Sequence, residues 1–157
     1  MGCDIHICLE RKNPTGEWVH VPLPADDLRL ENRVYAWFEF LADVRNYGAI
    51  PPISEPRGIP EDAAPETREA HERWGVDAHS ASWLSLNELV HFDYDRNTED
   101  RRVTRRLPSG VLDGGCTCDP GEGQRMTFRD YLGPDFFTAL RQLDELGAQR
   151  IVFWFDN

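Results

Sequence analysis

The run Cys3-Asp4-Ile5-His6-Ile7-Cys8-Leu9 alternates its side chains with the two-residue period of a β-strand. Cys3, Ile5, Ile7 and Leu9 share one face, which is apolar and reads as the core side. Asp4, His6 and Cys8 share the other. A carboxylate and an imidazole therefore stand side by side on one strand face at the start of the chain. That is compact geometry for a metal or an acid–base site.

The remaining pattern predicts an α+β protein. The strand Cys3–Glu10, the turn Asn13-Pro14-Thr15-Gly16 and a second strand Glu17–Val21 form an N-terminal hairpin. Val34, Trp37, Phe38, Leu41 and Val44 fall at helical spacing, giving a helix over 33–46 with Asn32 as its N-cap. Prolines at 51, 52, 56, 60 and 65 make residues 48–65 a long ordered loop. Pro65–Trp74 is a helix stopped by Gly75, and Ser85-Leu86-Asn87-Glu88 has capping-box spacing. Arg101–Leu107 reads as a strand, and the Gly/Cys-rich segment 108–125 reads as an exposed excursion. Residues 127–132 and 134–146 are helical. The closing stretch Arg150–Asp156 is apolar on both faces and predicts a central strand. The expected architecture is one mixed, mostly antiparallel sheet with helices packed on it. Asp4 and Asp156 become neighbours only if the first and last strands pair antiparallel or their ends meet across the sheet, and antiparallel pairing is the expectation.

A chain of 157 residues is most simply one domain, and it buries roughly 70% of its unfolded surface without help from a disulfide or metal. No apolar run approaches the roughly 20 residues of a membrane span, and the N-terminus lacks the basic flank and apolar stretch of a signal peptide. A cytoplasmic location follows, with the four cysteines as thiols or ligands rather than a disulfide framework. A net charge of −11 opposes sequence-specific DNA binding, because the phosphate backbone is repelled over most of the surface. It leaves room for a local basic pocket.

Carboxylate with imidazole suits a divalent ion such as Zn or Mn. Asp4 and His6 supply two ligands, and Asp156 and His79 are the candidates to complete the set. Asp77 and His79 repeat the D-x-H spacing, so Asp77 is the candidate second ligand, orienter of His79 or general base. Arg45 and Arg57 are the candidate clamps for an anionic substrate. Cys116 and Cys118 are spaced C-x-C, tighter than the usual structural zinc pair, and remain either ligands or free thiols. Asp93-Tyr94-Asp95-Arg96-Asn97 opens like a calcium loop. It fails where glycine is needed, at Thr98, and where the bidentate acid is needed, at Thr104.

The start Met1-Gly2-Cys3-Asp4-Ile5-His6, the segments 40–46, 56–60 and 77–84, and the closing Val152-Phe153-Trp154-Phe155-Asp156-Asn157 carry a resemblance. Together they resemble a family of small hypothetical proteins of tailed phages and prophages. The resemblance implies an accessory or host-takeover factor acting in the cytoplasm of a bacterial host. It implies no particular chemistry.

Two functions follow as expectations. One is a metal-dependent hydrolase of a phosphoester or nucleotide, in which the ion activates a water. The other is a non-catalytic acidic binding protein that inhibits a host protein or sequesters a nucleotide signal. The corresponding partners are an anionic small molecule or a host protein, without a membrane.

Overall fold

The computed structural model describes residues 2–24 and 27–157. In chain order the elements are β1 (Asp4–Lys12), β2 (Trp18–Val21), α1 (Tyr35–Ala42), α2 (Pro65–Trp74), β3 (His79–Ser85), α3 (Leu86–His91), β4 (Asn97–Asp100), β5 (Arg102–Arg106), β6 (Leu112–Thr117), β7 (Gln124–Thr127), α4 (Phe128–Leu132), α5 (Pro134–Glu145) and β8 (Arg150–Asp156). This is the expected α+β class with antiparallel sheets. The chain's contacts cluster into two compact units, Met1–Arg33 with Pro56–Phe92 and Asp135–Asn157, and Val34–Glu55 with Asp93–Pro134. No helix among the described residues is long and apolar enough to cross a membrane.

The first unit holds a four-stranded sheet in the order β2-β1-β8-β3. The hairpin β1–β2 forms as the turn residues predict, with Asn13 Oδ1 accepting from the N–H groups of Thr15 and Glu17. β8 is central, antiparallel to both β1 and β3, and its register sets Asp4 opposite Asp156 and His6 opposite Trp154. Residues directly opposite share a face. One face therefore carries Asp4, His6, Cys8, Glu10, Arg150, Trp154 and Asp156. The other carries Ile5, Ile7, Leu9, Ile151, Phe153 and Phe155, all nearly inaccessible.

The first face is polar and yet covered. Helix α2 lies along it and presents Thr67, His71 and Trp74, spaced as one helical stripe. The Thr67 hydroxyl donates to Glu10 Oε1 at 2.7 Å. His71 meets Trp154 edge-on with ring centroids 5.2 Å apart, and Trp74 packs on His6 at 4.0 Å. Seven residues of helix rise about 10 Å, close to the roughly 13 Å between Glu10 and His6 along β1, so helix and strand keep step.

What fastens α2 is a buried ion pair. Arg150 Nε and Nη2 donate to Glu10 Oε2 at 2.8 and 2.5 Å, and the Ala64 N–H donates to Glu10 Oε1 at 2.8 Å. Glu10 thus takes four donors. Arg150 Nη1 turns to Asp62 at 2.9 Å, and its guanidinium lies over Trp18 at 3.9 Å. A carboxylate and a guanidinium removed from water repay their desolvation only with such complete bonding.

In the second unit β4 pairs with β7 and β5 with β6, each as a two-stranded antiparallel sheet. Segment 108–125 is largely exposed, as expected, and it contains β6 and the start of β7. Its glycines hid a strand pattern that pairing with the arginine-rich β5 reveals. α1 is also shorter than the expected 33–46 helix. It stops at Asp43, which adopts φ 60°. Arg45 and Ala49 are left-handed as well, and Asn46 locks the loop by donating to Asp43 and to the Ile50 carbonyl while accepting from the Ile50 N–H. Asn32 caps no α-helix; it ends the 3-10 turn 29–31.

The expected consequence of the Glu10–Arg150 bond is asymmetric. Glu10→Ala or Arg150→Ala strands one buried charge and should cost about 3–5 kcal/mol. The pair replaced together by Met should recover much of that loss. Urea denaturation of the two single variants and the double variant measures it.

Candidate functional site

The His6 end of the covered face is where the chemistry-bearing residues meet. Gly2 makes that corner possible: a Cβ there would run into the Arg33 guanidinium. Arg33 in turn grips Asp4 bidentately, Nε to Oδ1 at 2.7 Å and Nη2 to Oδ2 at 2.6 Å. That pairing holds the Asp4 carboxyl below the usual carboxylate range. The Asp4 N–H donates to Asp156 Oδ1 at 3.1 Å, which turns Asp156 Oδ2 toward His6.

His6 Nε2 lies 3.4 Å from Asp156 Oδ2, and the two side chains keep 27% and 21% of their surface exposed. The contact is an ion-pair distance without hydrogen-bond alignment, so the buried His6 Nε2 has no hydrogen-bond partner among the described residues. Trp154 Nε1, on the neighbouring strand, is buried and unpartnered too. Trp74 covers the imidazole from above and Trp154 lies alongside it at 6.1 Å. At the strand edge Glu31 Oε1 accepts the Ile7 N–H at 2.9 Å, capping β1 where β2 no longer reaches. Burial raises the Glu31 carboxyl.

This arrangement supplies a proton acceptor, a carboxylate to support its charge, and an indole wall. Cys8 shares the face, but burial and the carboxylates of Glu10 and Glu31 push its thiol up to about 11, against the Thr67 hydrogen bond that lowers it, which makes it a poor nucleophile.

The candidate metal ligands do not converge. Asp4, His6 and Asp156 come together, as the antiparallel register required. His79 pairs opposite Phe155 and stacks on its ring at 6.0 Å, on the face away from His6. The expectation that His6 and His79 share an ion is corrected by the pleat: β3 is a strand, and its register sends His79 to the other side. Asp4 is already held by Arg33. Among the described residues no group of three or more His, Cys, Asp or Glu side chains is placed to hold a metal ion.

The other sequence candidates are also accounted for. Asp77 sits exposed in the 3-10 turn 75–77 and does not reach His79, whose Nδ1 meets Ser80 Oγ at 3.1 Å instead. Arg57 does not face the His6 corner. It donates to Glu88 through Nη1 and Nη2 at 3.1 and 2.6 Å, to the Trp83 carbonyl, and stacks on Trp83 at 4.7 Å. Arg45 belongs to the second unit, in a left-handed conformation. Cys116 and Cys118 are free thiols, with Cys116 Sγ donating to Asp113 Oδ2 at 3.4 Å. Sequence reasoning missed Arg33, His71, Trp74 and Trp154. Only Trp154 had a signal, because pairing Asp4 with Asp156 antiparallel places residue 154 opposite residue 6.

The Arg57–Glu88 bond carries its own test. Glu88 accepts from Arg57 and from the Ser85 N–H and hydroxyl of the capping box, and these donors lower its carboxyl from 4.5 to about 2. The folded state therefore holds this proton less tightly than the unfolded chain. The stabilisation is complete above about pH 4.5 and is lost as pH falls through about 2. Glu88→Gln should flatten the fall of melting temperature across that window. The effect should be modest, since the pair is partly solvated.

Compared with family models, with curated proteins and with solved structures, the chain has no match.

Proposed function

We propose that the protein is a phage-encoded accessory enzyme whose acid–base centre is His6 with Asp156, hydrolysing a phosphoester or nucleotide. The observation that carries this reading is the 3.4 Å His6–Asp156 pair, whose side chains are partly exposed and whose buried His6 Nε2 has no hydrogen-bond partner among the described residues. His6 takes the proton of an attacking water, and Asp156 supports the imidazolium that forms. The Asp4–Arg33 clamp holds Asp156 through the Asp4 N–H. Were a Zn or Mn ion to bind here, His6 and Asp156 would be its protein ligands and the ion would polarise the scissile group. The acid–base form of this reading needs no such ion. The bacterial cytoplasm as the place of action follows from the resemblance of the chain ends and internal motifs.

A second observation favours the non-catalytic reading, a protein that inhibits a host protein or sequesters a nucleotide. The β5–β6 tip exposes Leu107, Val111 and Leu112 beside exposed Arg105 and Arg106. Apolar side chains rimmed by arginine are a feature of protein-binding surfaces.

Assay of aryl phosphate mono- and diesters and nucleoside phosphates, with and without Zn or Mn, separates the two. In the hydrolase reading His6→Ala lowers turnover by about 10²–10⁴-fold, the range of a positioned base, while His79→Ala leaves it unchanged. Absence of turnover under every condition, or a His6→Ala variant as active as the parent, rejects the enzyme and leaves the binder.

A further inference from the structure

The second unit contains a cavity of about 340 Å³ whose wall includes Arg96, Thr98, Arg101 and Phe128. It shares no residue with the His6–Asp156 pair. Two arginines line this one concavity on a chain of net charge −11. Arg101 is half-buried, and its guanidinium donates to a neutral carbonyl, that of Cys118, from Nε at 2.8 Å and Nη2 at 2.5 Å. Its charge meets no carboxylate among the described residues. The Arg96 guanidinium lies over the Phe128 ring at 5.3 Å, which holds its plane at the cavity wall. Glu99, the acidic residue of the lining, turns its Oε1 into the adjoining loop, where the Gly121 and Gly123 N–H groups donate to it at 2.8 and 2.7 Å. Thr98 is only 9% exposed, and its hydroxyl has no hydrogen-bond partner among the described residues.

We propose that this cavity binds a small phosphate monoester, with the phosphoryl oxygens between Arg96 and Arg101 and the Thr98 hydroxyl as a further donor. A guanidinium carries five N–H donors in a rigid fork. Two forks exceed what one carboxylate accepts and suit the oxygens of a phosphoryl group. The volume lies at the low end of small-molecule sites, roughly 300–1,000 Å³, and is more than a bare phosphate fills. The organic part of the ester occupies the remainder.

Calorimetric titration of the whole chain tests this with inorganic phosphate, glucose 6-phosphate and adenosine 5′-monophosphate as probes. Saturable binding of at least one ester, tighter than inorganic phosphate and weakened by salt, is expected. Arg101→Ala should weaken it by about tenfold or more, the loss expected for a charge-assisted hydrogen bond. Arg141→Ala, which removes an exposed guanidinium outside the cavity, should leave it unchanged. Preference for the nucleotide or the sugar phosphate identifies the organic part. If Arg101→Ala loses its cooperative melt, Thr98→Val takes its place and should weaken binding while the melt is retained. Inorganic phosphate binding as tightly as both esters, no saturable binding of any probe, or equal binding by Arg101→Ala or a folded Thr98→Val, overturns the proposal.

Discussion

The buried Glu10 carboxylate is the contact on which the first unit depends. It joins three separate parts of the chain: β1 that bears it, β8 through Arg150, and the start of α2 through the Ala64 N–H and the Thr67 hydroxyl. A purely apolar contact would tolerate sliding of the helix by a residue or a rotation of its face. Four donors on two oxygens do not, because any slip leaves a buried charge unsatisfied. The bond therefore specifies where α2 lies as well as that it lies there.

That specification reaches the other end of the helix. With Thr67 fixed at Glu10, His71 and Trp74 must arrive over Trp154 and His6, since helix and strand advance at known rates. The imidazole is thus held on a polar sheet face by an indole from above, while the sheet register delivers Asp156 beside it. Two forms of regularity, helical rise and antiparallel pairing, assemble the corner from residues at the two ends of the chain. The Arg33–Asp4 clamp closes it, in a space that only Gly2 leaves open.

The second unit repeats the device with a different carboxylate. Glu39, buried on α1, accepts from Arg102 at 2.6 Å and from the Tyr131 hydroxyl. Burial raises its carboxyl despite these donors. A side chain at Gly48 would collide with Tyr131, Glu39 and Asp100. The left-handed residues Asp43, Arg45 and Ala49 bring the chain back toward this point, and Asn46 holds them there. Conformations that cost of order 1–3 kcal/mol each persist where surrounding bonds over-determine them.

Local periodicity determined much of this protein. The alternation of residues 3–9, the apolar closing stretch, the Asn13–Gly16 turn, the Pro65–Trp74 helix and the Ser85–Glu88 capping box are all where the sequence placed them. The antiparallel pairing of first and last strands, and with it Asp4 and Asp156 beside His6, was also legible. What the sequence left open depends on long-range partners. Residues 79–85 and 112–117 have weak strand signals of their own and become strands through β8 and β5, which is why His79 falls on the wrong face to join His6. Nothing in the sequence marks Glu10 and Glu39 as buried, because burial of a carboxylate is decided by donors far along the chain. Arg57 read as a free clamp, and only the tertiary structure brought Glu88 to it. Periodicity sets which face a side chain takes within its own element; which face of which element it meets is settled only when the chain closes on itself.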